Sequence, residues 1–100
     1  IHTIPTAETA YFFSQEKATY LQTKEKNRYI IDYTMEQVEQ LVDPQKFFRI
    51  NRKYLVSLEA VKDIITYSNS RLRLILIHTD ETDAIVSRDK VQDFKKWLDR

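Results

Sequence analysis

The chain contains no glycine, yet most of its length alternates like β-strand. Two-residue hairpins normally need positive φ at their centre, which glycine alone reaches without steric cost. Every turn here must therefore be built from residues that carry a Cβ, among which Asn and Asp tolerate the left-handed region best. Asn27, Asn51, Asn69 and Asp80 are the candidates. The clearest strand runs over 71–77: Leu72, Leu74 and Leu76 share one face, while Arg71 and Arg73 share the other with Ile75 and Ile77, so that second face is partly covered too. Val61–Tyr67 leads into it across the turn Ser68-Asn69-Ser70, and 83–86 returns after a turn at 78–82. Earlier, Tyr11-Phe12-Phe13, Ala18–Thr23 and 28–33 read as strands separated by a polar loop at 14–17 and a charged turn at 24–27. Residues 1–10 read as a strand remnant and connector, since Pro5 has no amide to donate to a ladder.

Two helices complete the pattern. Thr34 opens the first, and Gln37 three residues on completes a capping box that satisfies two free amides. Met35, Val38, Leu41 and Val42 fall on one face, and Asp43-Pro44 ends the segment. Glu36, Glu39 and Gln40 occupy the opposite face and would repel phosphates, so this helix packs a core and does not read nucleic acid. Ser87 is placed to cap a second helix whose face is Val91, Phe94, Trp97 and Leu98, with Lys95, Lys96 and Arg100 near its negative end. The expected fold class is mainly β with two short helices, an elongated set of short antiparallel strands forming one domain over 1–100.

Several function classes drop out. The absence of cysteine removes disulfides and thiolate metal sites. No apolar run approaches the roughly 20 residues of a membrane-spanning helix. Ser14-Gln15-Glu16-Lys17 and Ser87-Arg88-Asp89-Lys90 both spell S-x-x-K, but the companion motifs of serine acyl enzymes are missing. His2 and His78 are the only imidazoles, and Asp80-Glu81-Thr82-Asp83 lacks the spacing and glycine of an EF-hand. No enzyme activity, metal or cofactor is expected.

The net charge of +1 decides nothing, but its distribution does. Lys46, Arg49, Arg52 and Lys53 crowd one stretch with no acid between Lys46 and Leu58, whereas Asp80, Glu81 and Asp83 form an acidic turn expected to face away from nucleic acid. Phe47-Phe48 and Tyr54-Leu55-Val56 would anchor a turn near Asn51-Arg52 that presents Arg, Lys and Asn donors outward. Such donors suit phosphates and base edges. Taken alone, a solvated hairpin tip is the simpler reading.

The run FFRINRKYLVSLEAV resembles the central motif of LytTR domains, F-x-R-x-H-R-S-x-x-V-N, with Phe47-Phe48, Arg49, Arg52 and Val56 in place. Asn51 stands where His is common, Lys53 replaces Ser, and Ser57 occupies a position often held by Asn. Ile85-Val86-Ser87-Arg88 is similar to the family's V-S-R element before the last helix, and the likeness runs in register from about Ile4 to Leu98. It implies a cytoplasmic bacterial DNA-binding domain, the output half of a response regulator, reading duplex promoter DNA sequence-specifically with loops instead of a helix in the groove. By the same resemblance, Thr19, Asn51, Arg52 and Arg88 fall on DNA-contact positions. Lys17, Lys53 and Lys90 are added on electrostatic grounds, Arg88 is set against the dipole preference of a helix's first turn, and Arg49 either braces the turn or touches phosphate. The resemblance also implies a further strand and a receiver domain ahead of Ile1, as if the chain were trimmed there, and a dimer on tandem half-sites is the matching assembly. Two rivals come from other classes. One is a non-catalytic protein-interaction module gripping an acidic partner with the Arg-rich turn. The other is a single-stranded RNA binder, which wants exposed aromatics beside its cations, with Tyr54 and Tyr67 as candidates.

Overall fold

A computed structural model describes residues 6–99. Among them the chain forms β1 Thr9–Gln15, β2 Ala18–Thr23, β3 Arg28–Ile31, α1 Met35–Leu41, β4 Phe47–Arg49, β5 Tyr54–Ser57, β6 Val61–Tyr67, β7 Arg71–Leu76, β8 Ile85–Val86 and α2 Val91–Leu98. The first five strands make one antiparallel sheet in the order β3-β2-β1-β5-β4, and the last three make a second in the order β6-β7-β8. The long axis measures 39 Å against 27 and 24 Å, the elongated β-rich form expected from the strand pattern.

Alternation along β1 decides how the layers meet. Tyr11 and Phe13 point to one side, where Tyr54, Val56, Leu74, Val86, Phe94 and Trp97 complete a core shared by both sheets and α2. Phe12 points to the other side and packs with Leu55, Phe47, the α1 residues Met35 and Val38, and Val42 just past the end of α1. A strand buried on both faces must be a near-continuous apolar run, which is what Ala10 to Phe13 supply. Phe48, Phe94 and Trp97 form a ring cluster with centroids 5.4 to 5.8 Å apart, fixing α2 against β4. The capping box at Thr34 is present in full, Gln37 N donating to Thr34 Oγ1 at 3.1 Å and Thr34 N to Gln37 Oε1 at 2.9 Å.

Four details depart from the sequence reading. Thr9 and Ala10 belong to β1, so the connector is shorter than 1–10; its Ile1–Pro5 part and the assignment of Arg100 lie outside the described residues. The loop at 14–17 contracts to Glu16-Lys17, because Ser14 and Gln15 stay paired with Thr19 and Ala18. Ser87 makes no side-chain cap: a 3₁₀ turn at Arg88–Lys90 comes first, and α2 starts only at Val91. Lastly, the positive φ values fall on Glu16, Lys17, Lys26, Asn69, Ser70 and His78, so of the four expected turn formers only Asn69 is used. Register overrode residue preference, since a two-residue β1–β2 connection demands left-handed geometry whatever side chains are there.

Candidate nucleic-acid interface

Strand pairing gathers the candidate residues. Phe13 pairs with Tyr54, and Ser14 N donates to Lys53 O at 2.9 Å, so the Glu16-Lys17 tip and the 51–53 turn lie at the same end of the first sheet. Ser87 N donates to Ile50 O at 3.0 Å, which docks the 87–90 segment of the second sheet onto that turn. Arg52, Ser87, Asp89 and Lys90 then line one shallow depression together with Glu36, Arg49 and Asn51.

Arg49 holds this end together. Its side chain is only 8 % exposed. Nε donates to Asn51 O at 2.7 Å and Nη2 to Arg52 O at 2.6 Å, while Nη1 reaches Glu39 at 3.0 Å and Nη2 reaches Glu36 at 3.4 Å. A buried guanidinium without partners would be costly, and five donors in a planar fork match two carbonyls and two carboxylates. Arg49 therefore braces the turn. The α1 acids, read from sequence as a phosphate-repelling face, are the counter-charges of this brace, brought to it from three residues apart on one helix face.

Asn51 is consumed in the same way. Its Nδ2 donates to Ile85 O at 2.8 Å and Asp83 O at 3.3 Å, and its Oδ1 accepts from Lys53 N at 2.8 Å and Tyr54 N at 2.9 Å. An amide has two donors and one twice-accepting oxygen, so nothing remains to offer an adenine. The expected DNA-contact asparagine is instead a clamp between the β4–β5 turn and β8.

Lys53 is also less free than expected. Nζ donates to Asp83 Oδ2 at 2.7 Å and lies 5.4 Å from the Tyr54 ring centroid, while Tyr54 Oη donates to Asp83 Oδ1 at 2.8 Å. The acidic turn does not face away from the site, since Asp83 sits inside it. Burial pushes the Asp83 carboxyl upward, but the hydrogen bonds from Lys53 and Tyr54 outweigh that and hold it below the usual carboxylate range. Burial, then the hydrogen bond to Asp83, pushes the Tyr54 phenol up, so it stays a donor. Tyr54 is 2 % exposed and offers no stacking platform for a base, whereas Tyr67 is exposed.

The remaining candidates divide. Arg52, Arg88 and Lys17 are exposed, and among the described residues no hydrogen bond or ion pair ties up their side chains. Lys90 is half-buried, its Nζ donating to Arg49 O at 3.3 Å with two hydrogens left over. Thr19 is 6 % exposed within β2, opposite Ser14 and Ile31, so the expected contact threonine is part of the sheet.

The LytTr DNA-binding domain model matches residues 1–99. The transcriptional regulatory protein YpdB of Escherichia coli O6:H1 is 27% identical over 94 residues, which is 94% of this chain and 38% of that protein. The chain thus spans well under half the length of this relative. Among solved structures, the LytTr DNA-binding domain of a Bacillus cereus protein described as a methyl-accepting/DNA response regulator superposes with a TM-score of 0.79 at 23% identity, over 95% of this chain and 84% of that one. Identity that low speaks to the fold, and the fold agrees.

Proposed function

The chain belongs to the LytTr DNA-binding domain family, and from that premise we propose that it binds duplex promoter DNA sequence-specifically as the non-catalytic output domain of a cytoplasmic bacterial transcription regulator. The observation that carries the reading is the combination of a clamped backbone with free guanidiniums. Arg49 braces the 51–53 turn, Asn51 ties it to β8, and Ser87 N docks the 87–90 segment on Ile50 O, leaving Arg52 and Arg88 projecting uncommitted from adjoining loops. Arg52 and Arg88 act as base readers, because an unpaired guanidinium can fork onto guanine O6 and N7. Lys17 and Lys90 hold phosphate, and Lys53 contributes only by exchanging Asp83 for a phosphate oxygen. The regulator's signal arrives from a receiver domain upstream, consistent with a relative of which this chain covers only 38%, and two copies occupy tandem half-sites. Among the described residues no helix is long and apolar enough to cross a membrane.

The two phosphate-holding cations at this end, Lys17 and Lys90, correspond to Z of about 2 and a slope of log K against log salt near −1.8 for each copy bound. Titration of labelled promoter fragments at several salt concentrations measures it, and the stoichiometry at saturation counts the copies. Absence of duplex binding at low salt refutes the reading.

A further inference from the structure

The β6–β7 hairpin ends beside Arg88. Leu72 pairs with Val86, so one step toward the tip brings Arg71 level with Ser87. Asn69, Arg71, Ser87, Arg88 and Asp89 together line a shallow basin that is separate from the depression holding Arg52, with Ser87 and Asp89 common to both. Two guanidiniums there face one carboxylate, so the basin keeps a net positive charge. Its rim is a built turn: Asn69 and Ser70 hold φ of 60° and 63°, both in the left-handed region.

Arg71 is held in an ordered posture. Its Nε donates to Ser68 O at 3.2 Å and its Nη2 to Ser68 Oγ at 3.3 Å. Its guanidinium carbon lies 5.1 Å from the centroid of the Tyr67 ring, which is 41 % exposed and has no core role. Stacking and two hydrogen bonds cut the entropy lost when a partner is gripped. Among the described residues Nη1 has no partner. With Nε–H and one Nη2–H engaged by Ser68, the remaining three N–H donors sit at the outer end of a cation whose stem is already fixed, and such a charged end suits a phosphate oxygen.

We propose that the β6–β7 hairpin tip is a further DNA-contact loop, in which Arg71 grips a backbone phosphate flanking the bases reached by Arg88. The assignment rests on the duplex-binding reading above. It makes Arg71 a positioning contact that sets where Arg88 enters the groove and carries no sequence information itself.

Binding of wild-type protein, Arg71→Ala, Arg71→Lys, Arg88→Ala and Lys62→Ala to operator and random duplexes, at about 50 and 200 mM salt, tests it. Removing one phosphate contact shallows the salt slope by about 0.9, so the affinity ratio of wild type to Arg71→Ala should shrink about 3.5-fold between those salts, equally for all duplexes. Arg71→Lys should keep the slope, because charge is what phosphate senses. Lys62→Ala, at the far end of the same hairpin, should match wild type. If Arg88→Ala weakens binding while Arg71→Ala keeps the wild-type affinity and slope, the hairpin proposal falls and the function stands. Equal, salt-independent losses in Arg71→Ala and Arg71→Lys would assign Arg71 a purely structural role and overturn the proposal, as would a shifted base preference. No duplex binding by the wild type would overturn the function itself.

Discussion

Asn51→Ala separates a structural clamp from a base reader. The wild-type amide makes three bonds of 2.8 to 2.9 Å and a fourth of 3.3 Å. A neutral hydrogen bond contributes about 0.5–1.5 kcal/mol net, and the lost partners here are backbone groups of which Lys53 N, Tyr54 N and Ile85 O are partly buried. Counting the three shorter bonds near the middle of that range, and letting water rescue the fourth, the substitution should cost about 2–3 kcal/mol. For a domain of this size about 1 kcal/mol moves the midpoint by roughly 4–8 °C, so the melt should come about 10–20 °C earlier. Affinity should fall for every duplex alike, since Arg52 and Arg88 lose their common frame while both remain present. Thermal melting by circular dichroism, run beside selection of sites from random duplexes, gives both numbers. A variant that melts within about 0.5 kcal/mol of wild type, as a surface substitution would, yet loses preference at particular bases would show that Asn51 reads DNA and that the clamp is misassigned.

Two further outcomes follow from other parts of the chain. Lys26 sits at φ 78° in an exposed turn, and relief of a left-handed penalty of about 1–2 kcal/mol, less the chain entropy glycine adds on unfolding, should make Lys26→Gly about 0.5 kcal/mol more stable by chemical denaturation; a less stable variant would refute the strain argument. Asp83 titrates below its ordinary range when folded, so the unfolded carboxyl, near 3.9, takes up protons first as pH falls. The stability from Asp83 is complete above about pH 4 and is lost as pH drops through the folded value. Wild type should therefore lose more stability than Asp83→Asn between about pH 5 and 3, and parallel melting curves would show that the Lys53 and Tyr54 contacts do not favour the charged form.

What could be read beforehand, and what could not, divides along one physical line. Periodicity and caps are local, so Val61–Tyr67, Ala18–Thr23, the Thr34 box and the apolar face of α2 were visible in the residues themselves. Charge density is local too, and it pointed to the 51–53 turn. Pairing across the fold is not local. Nothing near Arg49 in sequence shows that Glu36 and Glu39 reach it, and 32 residues separate Asn51 from the Asp83 carbonyl it binds. The motif match therefore singled out one segment and mixed two kinds of residue within it. Asn51 shares with Arg52 the resemblance to a contact motif, but one faces inward and the other outward, a difference set by the turn geometry and by β8 alongside.

The same division bears on how a chain of net charge +1 would present the proposed binding face. Among the described residues three cations are neutralised internally or at the surface: Arg49 by two glutamates, Lys53 by Asp83, and Lys24 by Glu59. The pairs differ in what they do. Lys24 and Glu59 meet at 3.8 Å in the open, a contact worth little. Arg49 turns its charge inward, and through the carbonyl of Arg52 at 2.6 Å it fixes the backbone of the residue whose own side chain stays free. A fixed main chain with a mobile tip gives the guanidinium of Arg52 a defined origin and a short reach, so most of the ordering entropy is spent on folding and little on meeting DNA. If Arg52 reads bases as proposed, specific recognition depends less on how many cations the face carries than on which of them are anchored, and Arg49, the other arginine of the same motif, is the anchor.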